Sequence, residues 1–217
     1  MTILAVALNP SVDVSSDAAR VLPTKKVRTH NQRRHAGGGG VNVARVITKL
    51  GGHPQLLVMC GGETGALLKD ALSDEQIEAT AVPIAETTRL AFMVYEEETG
   101  LEYRFVPDGP AVTADEIESA MDVVRNFKGG YLIASGSLPR GAPDYTYARM
   151  AAIAAANGVR FVLDTSGKPL ITTLKQGKVF LVKPSLSELE TIAGKPLDER
   201  GIINAAKQLV HEGRADY

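Results

Sequence analysis

"HAGGGGVNVARVITKLGGHPQLLVMCG", residues 35–61, contains four glycines in a row, then a helix-like stretch, then a short apolar run. Apolar residues at Val43, Val46, Ile47 and Leu50 recur at helical spacing, and Gly51 stops the helix where the chain must turn. "QLLVMC" then reads as a strand. Glycine runs lose much backbone freedom on folding, so Gly37, Gly38, Gly39 and Gly40 call for a reason. A P-loop needs Gly-Lys-Ser/Thr, and here Gly40 precedes Val41-Asn42. A dinucleotide fingerprint needs a sixth-position glycine, and Asn42 or Val43 stands there. A linker would not run straight into an amphipathic helix. What remains is a surface of close approach at a helix N-terminus, where N–H groups donate to a ligand's oxygens. Asn42, one turn inside, has an amide that both donates and accepts, which suits a polyol.

Outward from this unit, strands and helices alternate. "ILAVAL" (3–8) is wholly apolar and stopped by Asn9-Pro10, as a strand covered on both faces would be. Helices are expected in "TGALLKDALSDE", in "TADEIESAMDVVRNF" with Thr113 and Glu116 as a capping box, in "PDYTYARMAAIAAANG" and in "DERGIINAAKQLVHEG". Strands are expected in "GGYLIASGS", "VRFVLDTS" and "VFLVKPS". The alternation predicts an α/β fold: a parallel sheet with helices on both faces. Two segments, about 13–35 and 88–106, break it. The second, "TRLAFMVYEEETGLEYRFV", reads as two strands around a turn at Thr99-Gly100. Both are expected to be antiparallel ribbons forming a small β-flap, or lid, on one domain spanning 1–217.

The chain has 217 residues, 44% hydrophobic and 23% charged, with a formal net charge of -1. That balance offers no basic footprint for nucleic acid, so any anion site must come from a few placed Lys and Arg residues. Cys60 is the single cysteine, which excludes an internal disulfide and a cysteine-based zinc site. No stretch reaches the ~18 apolar residues of a membrane span, and the N-terminus does not read as a signal peptide. A cytoplasmic location is expected. The four histidines (His30, His35, His53, His211) show no metal-ligand spacing.

Gly38, Gly39, Gly40, Asn42, Ala44, Gly51 and Gly61 fall at the spacings of a family signature, and "LNPSVD", "SGSLPRG", "VLDTSG" and "LVKPSLSELE" extend the likeness over essentially the whole chain. The sequence resembles the PfkB, or ribokinase-like, carbohydrate kinases, and within them the phosphofructokinase and tagatose-6-phosphate kinase branch. The resemblance implies a ribokinase-like α/β sandwich and transfer of the γ-phosphoryl of ATP, with Mg²⁺, to a sugar hydroxyl. It implies fructose 6-phosphate as the favoured substrate, with 1-phosphofructokinase or tagatose-6-phosphate kinase activity as alternatives. Asp13 would accept from the sugar hydroxyls, with Gly38, Gly39, Gly40 and Asn42 completing those contacts. Arg89 and Lys26 would hold the substrate's own phosphate, and Ser137 would lie at the site. Arg28 and Arg104 suit the same phosphate, or equally a flap surface or dimer contacts. A nucleoside or unphosphorylated-sugar kinase would have no need of Arg89. Lys183, Ser185 and Glu188 would form the nucleotide side, Glu188 meeting Mg²⁺ through water. The apolar "LAFMVY" needs cover, which the family resemblance attributes to a homodimer through the lid.

Two departures stand out. Ser185 replaces the Asn of the family's Lys-Pro-Asn-x-x-Glu. The family's second signature, Gly-Ala-Gly-Asp, which carries the catalytic base and an anion hole, does not occur in the 217 residues. The expectation from the sequence is therefore a C-terminally incomplete kinase, inactive alone, with no catalytic base of its own. The alternative is a non-catalytic sugar-phosphate-binding protein on the same scaffold.

Overall fold

The computed structural model describes residues 2–217. Six parallel strands form the central sheet in the order β10-β9-β8-β1-β4-β5. They are β1 (Ile3–Ala7), β4 (Gln55–Cys60), β5 (Ala79–Pro83), β8 (Tyr131–Ser135), β9 (Arg160–Asp164) and β10 (Leu181–Val182). Beyond β10, the main chain of 215–217 runs alongside: Val182 N–H donates to the Tyr217 oxygen at 3.1 Å and Tyr217 N–H to the Phe180 oxygen at 3.0 Å.

Side-chain alternation along β1 decides how each face is covered. Leu4, Val6 and Leu8 enter one apolar layer, built with α3 (Ala114–Asn126), α4 (Thr146–Ala156), α5 (Gly167–Gln176), α6 (Leu186–Ala193) and α7 (Glu199–His211). Ala5 and Ala7 enter the other, with α1 (Gly39–Lys49) and α2 (Gly62–Asp74). Large residues hold helices at ordinary distance, and the two alanines let α1 come close. The Thr113–Glu116 capping box forms as the spacing predicts, with Thr113 N–H donating to Glu116 Oε2 at 2.7 Å.

The buried face of α1 differs from the expected one. Gly40, Val41 and Ala44 are buried, whereas Val46 and Leu50 are exposed and Val43 and Ile47 only half-buried. Periodicity alone favours the larger residues, but a helix this close to a strand has room only for its smallest side chains. A Cβ on Gly40 would overlap the Val6 carbonyl. Also unforeseen are β5 and α5, and the expected "VFLVKPS" strand pairs through only Leu181 and Val182.

The lid is one sheet, not two antiparallel ribbons. Its strands are β2 (Ser11–Ala18), β3 (His30–Gly37), β6 (Arg89–Glu96) and β7 (Glu102–Phe105), in the order β3-β2-β6-β7. β2–β3 and β6–β7 are antiparallel as expected, but β2 pairs with β6 in parallel, from Ser11↔Arg89 to Ala18↔Glu96. The lid turn falls at Thr99-Gly100, with Gly100 at φ 72°. It is tied down by the buried Glu96 carboxylate, which accepts from Val21 N–H at 2.8 Å and from the Tyr103 hydroxyl at 3.0 Å.

Candidate functional site

Chain order reverses across the β1–β8 boundary of the sheet, because β1 leads to β4 on one side and β8 to β9 on the other. In open α/β sheets ligands gather at such a switch point, outside the carboxyl ends of the strands. The glycine run sits there. Gly37 ends β3, Gly38 caps α1 at φ 109°, and Gly39 and Gly40 open the helix. A Cβ on Gly39 would overlap the Ser135 hydroxyl at the end of β8, and one on Gly37 would overlap the Asp13 carboxylate. Three of the four glycines therefore answer to the protein's own packing. Gly38 is the one whose backbone conformation itself demands glycine.

Against the lid strands lies a hollow of about 280 Å³, lined by Ser11, Asp13, His35, Gly38, Arg89 and Arg104, with Ala91, Phe92 and Met93 among its apolar walls. That volume is at the small end of ligand cavities, ~300–1,000 Å³. The lid register explains the polar residues. Ser11 pairs with Arg89, Asp13 with both His35 and Ala91, and Met93 with Arg104, so these positions share one face. Asp13 accepts from the Ser11 hydroxyl and stands 3.9 Å from His35 Nε2.

Arg89 donates through Nη1 to the Pro107 oxygen at 2.7 Å and through Nη2 to the Asn9 oxygen at 2.8 Å. Its buried Nε–H has no partner among the described residues. Burial lowers the Arg89 pKa, and the charges of Asp13 and Asp108 act the other way. Asn9, which sequence reasoning passed over as a strand stop, is buried and knits the junction. Its amide lies 3.1 Å from both the Asp108 oxygen and the Ser137 hydroxyl.

The other sequence-selected residues lie apart from this hollow. Lys26 and Arg28 are exposed on the β2–β3 connection. The Asn42 side chain is exposed, its oxygen accepting from Arg45. Ser137 faces Asn9. At the ends of β8, β9 and β10 a second polar group forms: Ser135 donates to Asp164 Oδ2 at 2.9 Å, and Lys183 Nζ is 3.2 Å from Asp164 Oδ1. Asp164 was visible beforehand only as part of "VLDTSG". Nearby, Ser185 and Glu188 close a capping box on α6, with Ser185 N–H donating to Glu188 Oε2 at 2.7 Å. One Glu188 oxygen is thus committed to the helix end. Among the described residues no three His, Cys, Asp or Glu side chains converge as a metal site. Nor is any described helix long and apolar enough to cross a membrane.

Comparison with known proteins bears on the family and the fold. The model of the pfkB family carbohydrate kinases matches residues 6–216. An ATP-dependent 6-phosphofructokinase isozyme 2 of Mycobacterium tuberculosis is 40% identical over 99% of the chain. The chain spans 63% of that relative's length. A D-tagatose-1-phosphate kinase of Bacillus licheniformis is 30% identical over 95% of the chain and 67% of its own length. The crystal structure of phosphofructokinase-2 from Escherichia coli in complex with fructose-6-phosphate superposes with a TM-score of 0.93 at 33% identity, covering 99% of this chain and 71% of that one. With the six-stranded sheet, the lid and the glycine run at the switch point in place, the chain belongs to the pfkB family of carbohydrate kinases.

Proposed function

We propose that the hollow under the lid seats a phosphorylated sugar, fructose 6-phosphate foremost, and that this chain supplies the sugar side of an ATP-dependent sugar-phosphate kinase. The observation that carries the reading is the meeting of Asp13 and Arg89 in one hollow with the bare main chain of Gly38. A carboxylate only accepts, so it selects ligands rich in hydroxyls. A guanidinium fork matches phosphate oxygens and stays charged at any working pH. The buried Arg89 Nε–H without an acceptor is a donor that an anion would satisfy. Arg104, on the same lid face, adds a second positive charge. The names of the relatives support this substrate class, and the tagatose-1-phosphate kinase keeps a neighbouring sugar phosphate as the alternative.

On the nucleotide side, Lys183 beside Asp164 suits the phosphates of ATP. Mg²⁺ usually keeps several waters and is held by one or two carboxylates plus phosphates. Asp164 and the uncommitted oxygen of Glu188 fit an ion arriving on the nucleotide, not one resident on the protein. When bound, that ion would neutralise phosphate charge. Phosphoryl transfer depends on positioning and charge stabilisation, and the part assigned to this chain is to orient the sugar and hold its phosphate.

Calorimetric titration of the chain and its Arg89→Ala variant tests the reading. Loss of a charge-assisted hydrogen bond of about 2 kcal/mol corresponds to roughly 30-fold weaker binding of fructose 6-phosphate. ATP affinity should stay within about twofold. Equal weakening toward both ligands, or toward neither, would remove Arg89 from the phosphate.

A further inference from the structure

The chain crosses between body and lid at several points, and two of these crossings meet at one buried side chain. Asn9-Pro10 leads from β1 into β2, and residues 107–110 lead back from β7. Asn9 is only 5% exposed, too deep to meet a ligand itself. Its Nδ2 group lies 3.1 Å from the Asp108 oxygen, 3.1 Å from the Ser137 hydroxyl and 3.3 Å from the Leu138 oxygen. One carboxamide thus fastens the outgoing crossing to the returning one and to the loop after β8. Its partners set its orientation, because the opposite rotamer would turn Oδ1 toward two carbonyl oxygens. Oδ1 is buried with no partner among the described residues, and a Cβ at Gly109 would overlap it. Leaving an acceptor buried and unpaired costs stability, a cost the fold carries while placing the nitrogen among its acceptors.

The same two crossings hold Arg89. Nη2 donates to the Asn9 main-chain oxygen and Nη1 to the Pro107 oxygen, so the guanidinium spans the segments that the Asn9 side chain ties together. A guanidinium carries five N–H donors, and these contacts leave the others, the buried Nε–H among them, for a further partner. Where those donors stand depends on the spacing of the two carbonyl oxygens, which Asn9 Nδ2 fixes through the Asp108 oxygen. Gly38 leans on the same crossing, since a Cβ there would stand 3.1 Å from the Pro10 Cα. Arg89 and Gly38 both line the hollow, and Asn9 stands behind them.

We propose that Asn9 is a positioning residue for phosphate recognition: its carboxamide locks together the two crossings whose carbonyl oxygens hold the Arg89 guanidinium against the hollow. This rests on the sugar-phosphate reading above. Aspartate matches the shape of asparagine but, ionised, only accepts, so it cannot serve these acceptors.

The test is a cycle of variants titrated with fructose 6-phosphate and ATP. Asn9→Ala removes the carboxamide, and Asn9→Ser, which keeps a hydroxyl, covers the case in which the alanine variant does not fold. Asn9→Ala should bind fructose 6-phosphate about tenfold more weakly, and Asn9→Ser about threefold or more, with ATP within about twofold for both. Combined with Arg89→Ala, either substitution should change fructose 6-phosphate affinity by less than about twofold, because a residue acting through Arg89 then has nothing left to position. The Arg89 Nε–H signal, followed by NMR in the ¹⁵N-labelled chain and assigned by its loss in Arg89→Lys, should shift or broaden in the Asn9 variants below their denaturation midpoints. A merely structural role would lower those midpoints and leave both the signal and the sugar-phosphate affinity of the folded protein in place. Losses that multiply in the double variant, an unmoved Arg89 signal, or unchanged fructose 6-phosphate affinity in the folded Asn9 variants overturns the proposal. Should the parent bind no fructose 6-phosphate, the proposal falls with the reading beneath it. An Arg89 signal that still moves in the Asn9 variants would in that case show that the ligand assignment failed and the joint did not.

Discussion

Replacing Gly37 and Gly40 with alanine, one at a time, makes the same chemical change three residues apart and should produce opposite phenotypes. At Gly40 the added Cβ meets the Val6 carbonyl and the Ala7 amide. These belong to β1, which is hydrogen-bonded to β4 on one side and β8 on the other and has nowhere to go. The helix must lift instead. Overpacking costs about 1–3 kcal/mol, and an obstacle made of main chain places this case near the upper end. Alanine returns up to about 1 kcal/mol of helix propensity. The net loss is about 2 kcal/mol, or roughly 4–8 °C in Tm for a chain of this size. At Gly37 the obstacle is the far end of the Asp13 side chain, which can rotate, and the backbone there has no positive φ. Stiffening of the unfolded chain returns about 0.4–1 kcal/mol, so stability should change by less than about 1 kcal/mol. Fructose 6-phosphate affinity, however, should fall by about tenfold or more as the carboxylate leaves the hollow. Urea unfolding and calorimetric titration of both variants decide it. If Gly40→Ala is as stable as the parent, or Gly37→Ala binds sugar phosphate normally, the assignment of these glycines to helix packing and to Asp13 is wrong.

Two further outcomes are expected. Glu118 bridges α3 and α4, with Arg149 first and Arg125 second holding its carboxyl at about 2, below the ordinary 4.5. Its folded pKa is depressed, so its stabilisation is present above pH 4.5 and is lost as pH falls through the window toward 2. Urea midpoints followed against pH should show a shallower acid decline in Glu118→Gln, and parallel curves would contradict this. On the lid, Phe92 and Phe105 are cross-strand partners and are 46% and 59% exposed, an apolar pair that suits a second copy of this chain. We expect a concentration-dependent dimer by sedimentation that Phe105→Lys converts to monomer. A parent that stays monomeric at high concentration refutes lid pairing.

Local pattern carried much of the reading. The alternation of apolar runs with amphipathic stretches, the Thr113–Glu116 box and the turn at Thr99-Gly100 all follow from backbone propensity and nearest-neighbour hydrogen bonds, which a linear chain displays. The Ser185–Glu188 box is legible in the same way, as Ser-x-x-Glu. Gly38 was a candidate from the glycine run itself, and Asp13, Arg89 and Arg104 became candidates through the family resemblance, which assigns roles by position along the chain. Their meeting in one hollow was not legible, since it depends on β2 pairing in parallel with β6, from Ser11↔Arg89 to Ala18↔Glu96, and no periodicity encodes which strands from distant segments pair. The same holds for α1, whose sequence advertises Val43, Val46, Ile47 and Leu50 but whose buried face is Gly40, Val41 and Ala44. Hydrophobicity ranks side chains one at a time, whereas the distance between helix and strand is settled by every atom between them, and at that distance only the small residues fit.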